Sequence, residues 1–77
     1  MENTLEEIKV IIEEIADIPK DEIDDSSAMI DDLDLSSLEI MAVIADAENR
    51  FSIRITEDEM LSISTVEELA RIIESKK

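Results

Sequence analysis

At four places in this chain of 77 residues, a serine or threonine is followed three positions later by glutamate where a helical apolar pattern or short turn begins. The pairs are Thr4…Glu7, Ser36…Glu39, Thr56…Glu59 and Thr65…Glu68. In this arrangement the hydroxyl accepts from an orphan backbone N–H of the first turn, and the glutamate reaches back to the N-cap N–H. The carboxylate also complements the positive end of the helix dipole. A chain punctuated in this way is built from helices. The apolar spacing predicts them over about Leu5–Ala16, Ser37–Arg50, Glu57–Leu61 and Val66–Ser75. In the first, Leu5, Ile8, Ile11, Ile12 and Ile15 recur at intervals of three and four and share one face. Pro19 prevents its continuation. Phe51, Ile53 and Ile55 alternate as a strand would, but no partner strand exists for them, so they are read as an extended connector. The expected fold is therefore all-α: one domain over 1–77, with three main helices, one short helix and a long loop between the first two.

A chain this short buries only about 60% of the surface its unfolded form exposes. It has no Cys and no His, so neither a disulfide nor a Cys/His metal site can reinforce the core. With Phe51 as the one aromatic residue, the core must be aliphatic, drawn from 14 Ile, 6 Leu, 3 Val and 4 Met. The connection from 17 to 36 is longer than the roughly 2–8 residues that usually join packed helices. It holds Ile18, Ile23, Met29, Ile30, Leu33 and Leu35, and is expected to pack across the bundle.

Twenty-two acids against 7 bases give a net charge of −15. That field repels phosphates, which excludes nucleic acid and anionic membranes as direct partners, and it steers partners with basic patches into encounter. The opening Met1–Glu7 has neither the basic nor the apolar run of a signal peptide, and no apolar run approaches the ~18 residues of a membrane span. A cytoplasmic monomer is the expectation. Asp32-Leu33-Asp34-Leu35-Ser36 begins like a calcium loop, but Ser37 and Val43 stand where that loop needs Gly and Glu, so no metal site is assigned. Weak, non-specific cation binding to the acidic loop is expected. The carboxylate pairs Glu13-Glu14 and Glu67-Glu68 are read as solvated helix faces, and no catalytic residue is assigned.

The second helix carries two apolar stripes. Ile40, Val43, Ile44, Ala47 and Phe51 fall on one arc, the core stripe. Leu38, Met41 and Ala45 fall on another, more than a quarter-turn away. Either the helix is buried on both sides or the second stripe meets a partner. A small bundle has few neighbours with which to surround one helix, and Met suits an adaptable contact surface, so the second reading is preferred. Ser37 lies between the stripes, at the first turn. With no His to activate it and no thiol beside it, it is more plausibly a point of attachment than a nucleophile. Backbone N–H groups and the dipole there favour a phosphodiester or phosphoserine. The plainer alternative is that Ser36 and Ser37 only cap the helix.

The stretch from Met29 through Asp31-Asp32-Leu33-Asp34-Leu35-Ser36-Ser37-Leu38-Glu39 resembles the prosthetic-group site of acyl carrier proteins, which typically reads aromatic-x-acid-Asp-Leu-Gly-x-Asp-Ser-Leu-Asp/Glu. The resemblance continues through Glu48-Asn49-Arg50-Phe51, Ile53–Glu59 and Ile63–Val66, and covers nearly the whole chain. It implies that Ser37 bears 4′-phosphopantetheine, transferred from coenzyme A by a phosphopantetheinyl transferase. An acyl group would ride on the pantetheine thiol as a thioester, in fatty acid, polyketide or related biosynthesis. The same resemblance makes Leu38, Met41 and Glu48, with Ser36 and Glu39 flanking, partner-binding residues, to which the second stripe adds Ala45, and it implies that the aliphatic core can open to shelter an acyl chain. Ser36 replaces the family's Asp, Asp34 its Gly, and no acid lies between Glu39 and Asp46, which marks a specialised member. Two alternatives stay open: an unmodified acidic interaction module, and an aminoacyl or peptidyl carrier with the same chemistry. Because like charge crowds the folded state, added salt or divalent cations should raise Tm; a melting temperature indifferent to ionic strength would contradict this.

Overall fold

The computed structural model describes residues 2–77. Four α-helices follow in order: α1 (Glu2–Ala16), α2 (Ser37–Phe51), α3 (Glu57–Ser62) and α4 (Val66–Lys76). α1 packs against both α2 and α4. Among the described residues there is no strand; residues 53–56 run as an unpaired extended connector, as the sequence predicts. Phe51 belongs to the end of α2 and not to that connector.

Three of the four expected capping boxes form, at Ser36/Glu39, Thr56/Glu59 and Thr65/Glu68. The fourth does not. α1 begins at Glu2, before Thr4, and Thr4 is fully buried inside the helix. Its hydroxyl donates to Glu74 of α4 and accepts from Lys77 Nζ at 2.9 Å. A buried hydroxyl must find a partner, and here it finds one across the bundle in place of its own helix end. The bond from Thr4 holds the Glu74 carboxyl below its ordinary value, with Lys77 adding to the effect.

The core is aliphatic throughout. Ile8, Ile11 and Ile12 of α1 meet Val43, Ile44 and Ala47 of α2 and Val66, Leu69, Ala70 and Ile73 of α4 in one buried cluster. Ile23, Met29, Leu33 and Leu35 of the long connection complete it, so that segment packs as expected. Ile30 is the exception, 65% exposed on a turn between Met29 and Asp31. The connection opens with a single 3-10 turn at Lys20–Glu22, directly after Pro19. It is then held by backbone bonds to the start of α4. Met29 N–H donates to Ser64 O at 2.9 Å, Val66 N–H to Ser27 O at 3.1 Å, and Glu67 N–H to Asp25 O at 2.9 Å. The last two satisfy N–H groups of α4 that no intrahelical carbonyl could reach.

Among the described residues, three non-glycine positions take left-handed backbone angles: Asp17 (φ 59°), Asp34 (φ 55°) and Ser52 (φ 54°). Asp17 and Ser52 follow the last residues of α1 and α2, where glycine usually stands. Asp tolerates this region through its short polar side chain.

Glu68 Oε1 accepts from Ser64 N (2.7 Å), Ser64 Oγ (2.8 Å) and Thr65 N (3.0 Å). These donors, the Ser64 backbone first, hold its carboxyl below the ordinary 4.5. A carboxylate with a depressed folded pKa adds stability that is present above its unfolded value and lost as pH falls through the folded one. In thermal melts below pH 4.5, wild type should therefore lose this cap progressively, while Glu68→Gln, already less stable at neutral pH, shows a shallower decline. Relief of repulsion among the other carboxylates is common to both proteins, so the difference between the two curves reports the titration of Glu68 itself.

Candidate functional site

The connection that docks on α4 delivers the chain to the start of α2. Around Ala28 it closes a tight turn: Asp32 and Leu33 N–H both donate to Ala28 O, at 2.9 and 3.0 Å, and Ala28 N–H donates to Asp32 Oδ2 at 2.7 Å. Leu35 N–H then donates to Met29 O at 2.9 Å. Between them Asp34 makes the left-handed step that turns the backbone into the helix.

At the helix start the two adjacent serines separate in role. Ser36 is the N-cap. Its hydroxyl accepts from Glu39 N at 3.2 Å, and its N–H donates to Glu39 Oε1 at 2.8 Å. Ser37 is the first helical residue, exposed, and its hydroxyl makes no hydrogen bond among the described residues. It lines a groove of about 270 Å³ walled by Ile30, Ile40, Met41, Met60, Leu61 and Ile63. A second depression of about 170 Å³ shares Ile30, Ile40 and Ile63 with it and runs on toward Met29 and Ser64. The groove thus leads from the serine into the seam between the long connection and α3.

The second stripe of α2 faces outward. Leu38 is 78% exposed, Met41 is 53% exposed, and Ala45 is exposed beside them. Glu39 and Glu48 are half-buried, and each uses its carboxylate within the fold: Glu39 in the capping box, Glu48 by accepting from Ile55 N at 2.7 Å. The sequence places Ile30 among the packing residues of the connection and assigns Leu61 no role at the surface, yet both are large, exposed and flank the groove. The signal for Leu61 was its place at the end of a helix too short to bury both sides. Among the described residues no three acidic side chains converge to hold a metal ion.

A small helical bundle that presents one disengaged serine at a helix start, above an apolar groove, has the form of a carrier domain. Comparison with known proteins agrees. The family described as "Phosphopantetheine attachment site" matches residues 6–73. An acyl carrier protein of Acidothermus cellulolyticus is 37% identical over 65 residues, 84% of this chain and 77% of that one. One from Buchnera aphidicola is 37% identical over 76 residues, 99% of this chain and 95% of its own. The solved acyl carrier protein of Enterococcus faecalis superposes with a TM-score of 0.81 at 28% identity, covering 99% and 96% of the two chains. The chain belongs to the acyl carrier protein family, and 4′-phosphopantetheine is its prosthetic group. Asp34 takes the left-handed backbone angle (φ 55°) that glycine most readily adopts.

The separation of the two serines predicts opposite outcomes. Ser36→Ala removes the cap and should lower unfolding stability by about 1 kcal/mol. Ser37→Ala removes an exposed hydroxyl and should change stability by less than about 0.5 kcal/mol. Urea unfolding of both variants measures the difference.

Proposed function

We propose that Ser37 is the attachment point of 4′-phosphopantetheine, and that the chain carries acyl intermediates as thioesters between enzymes of fatty acid, polyketide or related biosynthesis. On this reading it is a covalent substrate of other enzymes, not a catalyst. The supporting observation is the division of labour at the start of α2. Ser36 takes the capping bonds, which leaves the Ser37 hydroxyl exposed and disengaged.

The residues present fit the group. The first-turn N–H groups and the dipole of a 15-residue helix favour a phosphate at that position. The apolar groove beside Ser37 offers Met41, Met60 and Leu61 to whatever the arm carries. When bound, the group supplies a thiol, which a chain without Cys does not have. The exposed Leu38, Met41 and Ala45 lie within eight residues of the serine along α2, placed to meet a phosphopantetheinyl transferase or a synthase docked over it. Since coenzyme A is the donor, we place the protein in the cytoplasm.

The test is an intact-mass measurement after incubation with coenzyme A, magnesium and a broad-specificity phosphopantetheinyl transferase. Wild type should gain one phosphopantetheine and Ser37→Ala none. A gain that persists in Ser37→Ala moves the attachment elsewhere, and no gain in wild type leaves the unmodified interaction module as the better account.

A further inference from the structure

Two acidic segments meet where α1 faces the long connection. α1 carries five glutamates and one base, Lys9; the connection carries eight acids and one base, Lys20. Lys9 reaches across, with its Nζ 2.9 Å from Asp25 Oδ1. Beside this pair lies a depression of about 330 Å³ lined by Asn3, Leu5, Glu6, Lys9 and Asp25. Helix and connection are therefore not packed together there, and the ion pair spans the gap. Of the ion-paired bases among the described residues, Lys9 has the least exposed side chain, at 18%. A shielded pair is screened less by salt than an open one, and an ammonium left there without its carboxylate is unfavourable. Asp25 is held from a second side, since its backbone carbonyl accepts from Glu67 N of α4 at 2.9 Å. The turn around it closes on itself. Asp24 N–H donates to the buried Ser27 hydroxyl at 2.9 Å, and Ser27 N–H donates back to Asp24 O at 3.0 Å. Ser27 O then accepts from Val66 N. Lys9 thus grips, from α1, the turn whose carbonyls dock on α4. The Ala28 turn and the bond from Leu35 N–H to Met29 O carry the chain on from there to Ser36.

We propose that Lys9 is a positioning residue for Ser37: through Asp25 it keeps the 24–27 turn docked between α1 and α4, and so holds the start of α2 in the arrangement that a transferase engages. The inference rests on the carrier reading of Ser37 and assigns a remote residue to that site. Lys9 lies outside the aliphatic cluster, so losing the pair leaves the core in place and releases the turn. The engaged form then becomes a fraction of the population, and apparent affinity falls by that fraction. KM rises while kcat holds, because every chain that is bound is a docked one.

The experiment measures KM and kcat of the full chain as substrate for phosphopantetheine transfer from coenzyme A by a broad-specificity transferase, with amide hydrogen exchange on the same variants. Circular dichroism checks that each is folded. Lys9→Met should raise KM about threefold with kcat unchanged. Asp25→Asn, which strands the ammonium, should raise KM at least as much. These two substitutions move the net charge in opposite directions. An effect on long-range encounter would shift KM in opposite senses, whereas loss of the pair raises it in both. Adding Lys9→Met to Asp25→Asn should cause no further rise, and Lys9→Arg should keep the wild-type KM. In Lys9→Met the Val66 and Glu67 amides, which donate to the docked turn, should exchange about threefold faster or more, while those of Ile11 and Ile12 in α1 keep their rates. An unchanged KM in Lys9→Met overturns the proposal. So do opposite shifts in the two single variants, or an equal acceleration at Ile11 and Ile12, which would mark general loosening of the bundle. If wild type gains no phosphopantetheine, or Ser37→Ala gains one, the carrier reading falls and takes this inference with it; a modified wild type with an indifferent Lys9→Met refutes the inference alone.

Discussion

The structure depends most on a joint that belongs to no helix. The 17–36 connection lies across the start of α4 and gives the carbonyls of Asp25 and Ser27 to the N–H groups of Glu67 and Val66, while Met29 N–H takes Ser64 O. This joint solves two problems together. The first turn of α4 has donors that no intrahelical carbonyl can satisfy, and the long connection has backbone groups that leave water as its side chains are buried. With the joint made, Ile23, Met29, Leu33 and Leu35 enter the core, and Asp34 and Ser36 are set in place to start α2. The exposure of Ser37 is a product of this docking as much as of its position in the helix.

Charge is distributed with the same economy. Arg50 joins α2 to α1 through Glu14 at 3.0 Å and Glu7 at 3.4 Å. Its partial burial works against the charged form, but the surrounding carboxylates outweigh that and raise its pKa. Lys76 pairs with Glu59 at 2.9 Å, and Lys77 lies 5.1 Å from the centre of the Phe51 ring. Exposed pairs of this kind contribute little individually. Their significance lies in where they are: the pairs of Arg50 and Lys76 tie α2 to α1 and α4 to α3.

Much of this was legible in the sequence because it depends on local periodicity. The capping boxes at Ser36, Thr56 and Thr65 mark the helix starts that the structure shows, and the two arcs of α2 separate the buried Val43, Ile44 and Ala47 from the exposed Leu38 and Met41. What escaped depends on partners distant in the chain. Thr4 satisfies the capping pattern, but its hydroxyl meets Glu74, seventy residues on. Glu48 reads as a surface acid, yet it anchors the Ile55 N–H. Ile30 reads as one more packing residue of the loop and instead stands out of it, because the turn at Ala28 reverses the chain just there. The left-handed steps at Asp17, Asp34 and Ser52 were concealed by the lack of any glycine to signal them. Of the candidate site, the position of Ser37 was evident from the motif; the groove beside it was not, since Met60 and Leu61 come from another helix.

The cluster of Thr4, Glu74, Lys77 and Phe51 fixes the geography of the molecule. It gathers the first turn of α1 and the last turn of α4 around the C-terminal end of α2. Ser37 is at the opposite end of that helix, fourteen residues away, or roughly 21 Å at the usual rise. Any polypeptide continuing beyond Lys77, whether a neighbouring module or an affinity label, therefore departs from the pole remote from the serine. A bulky appendage there leaves the hemisphere around Ser37 open, and a surface tethered through that end would hold the bundle upright with that serine presented to the solution.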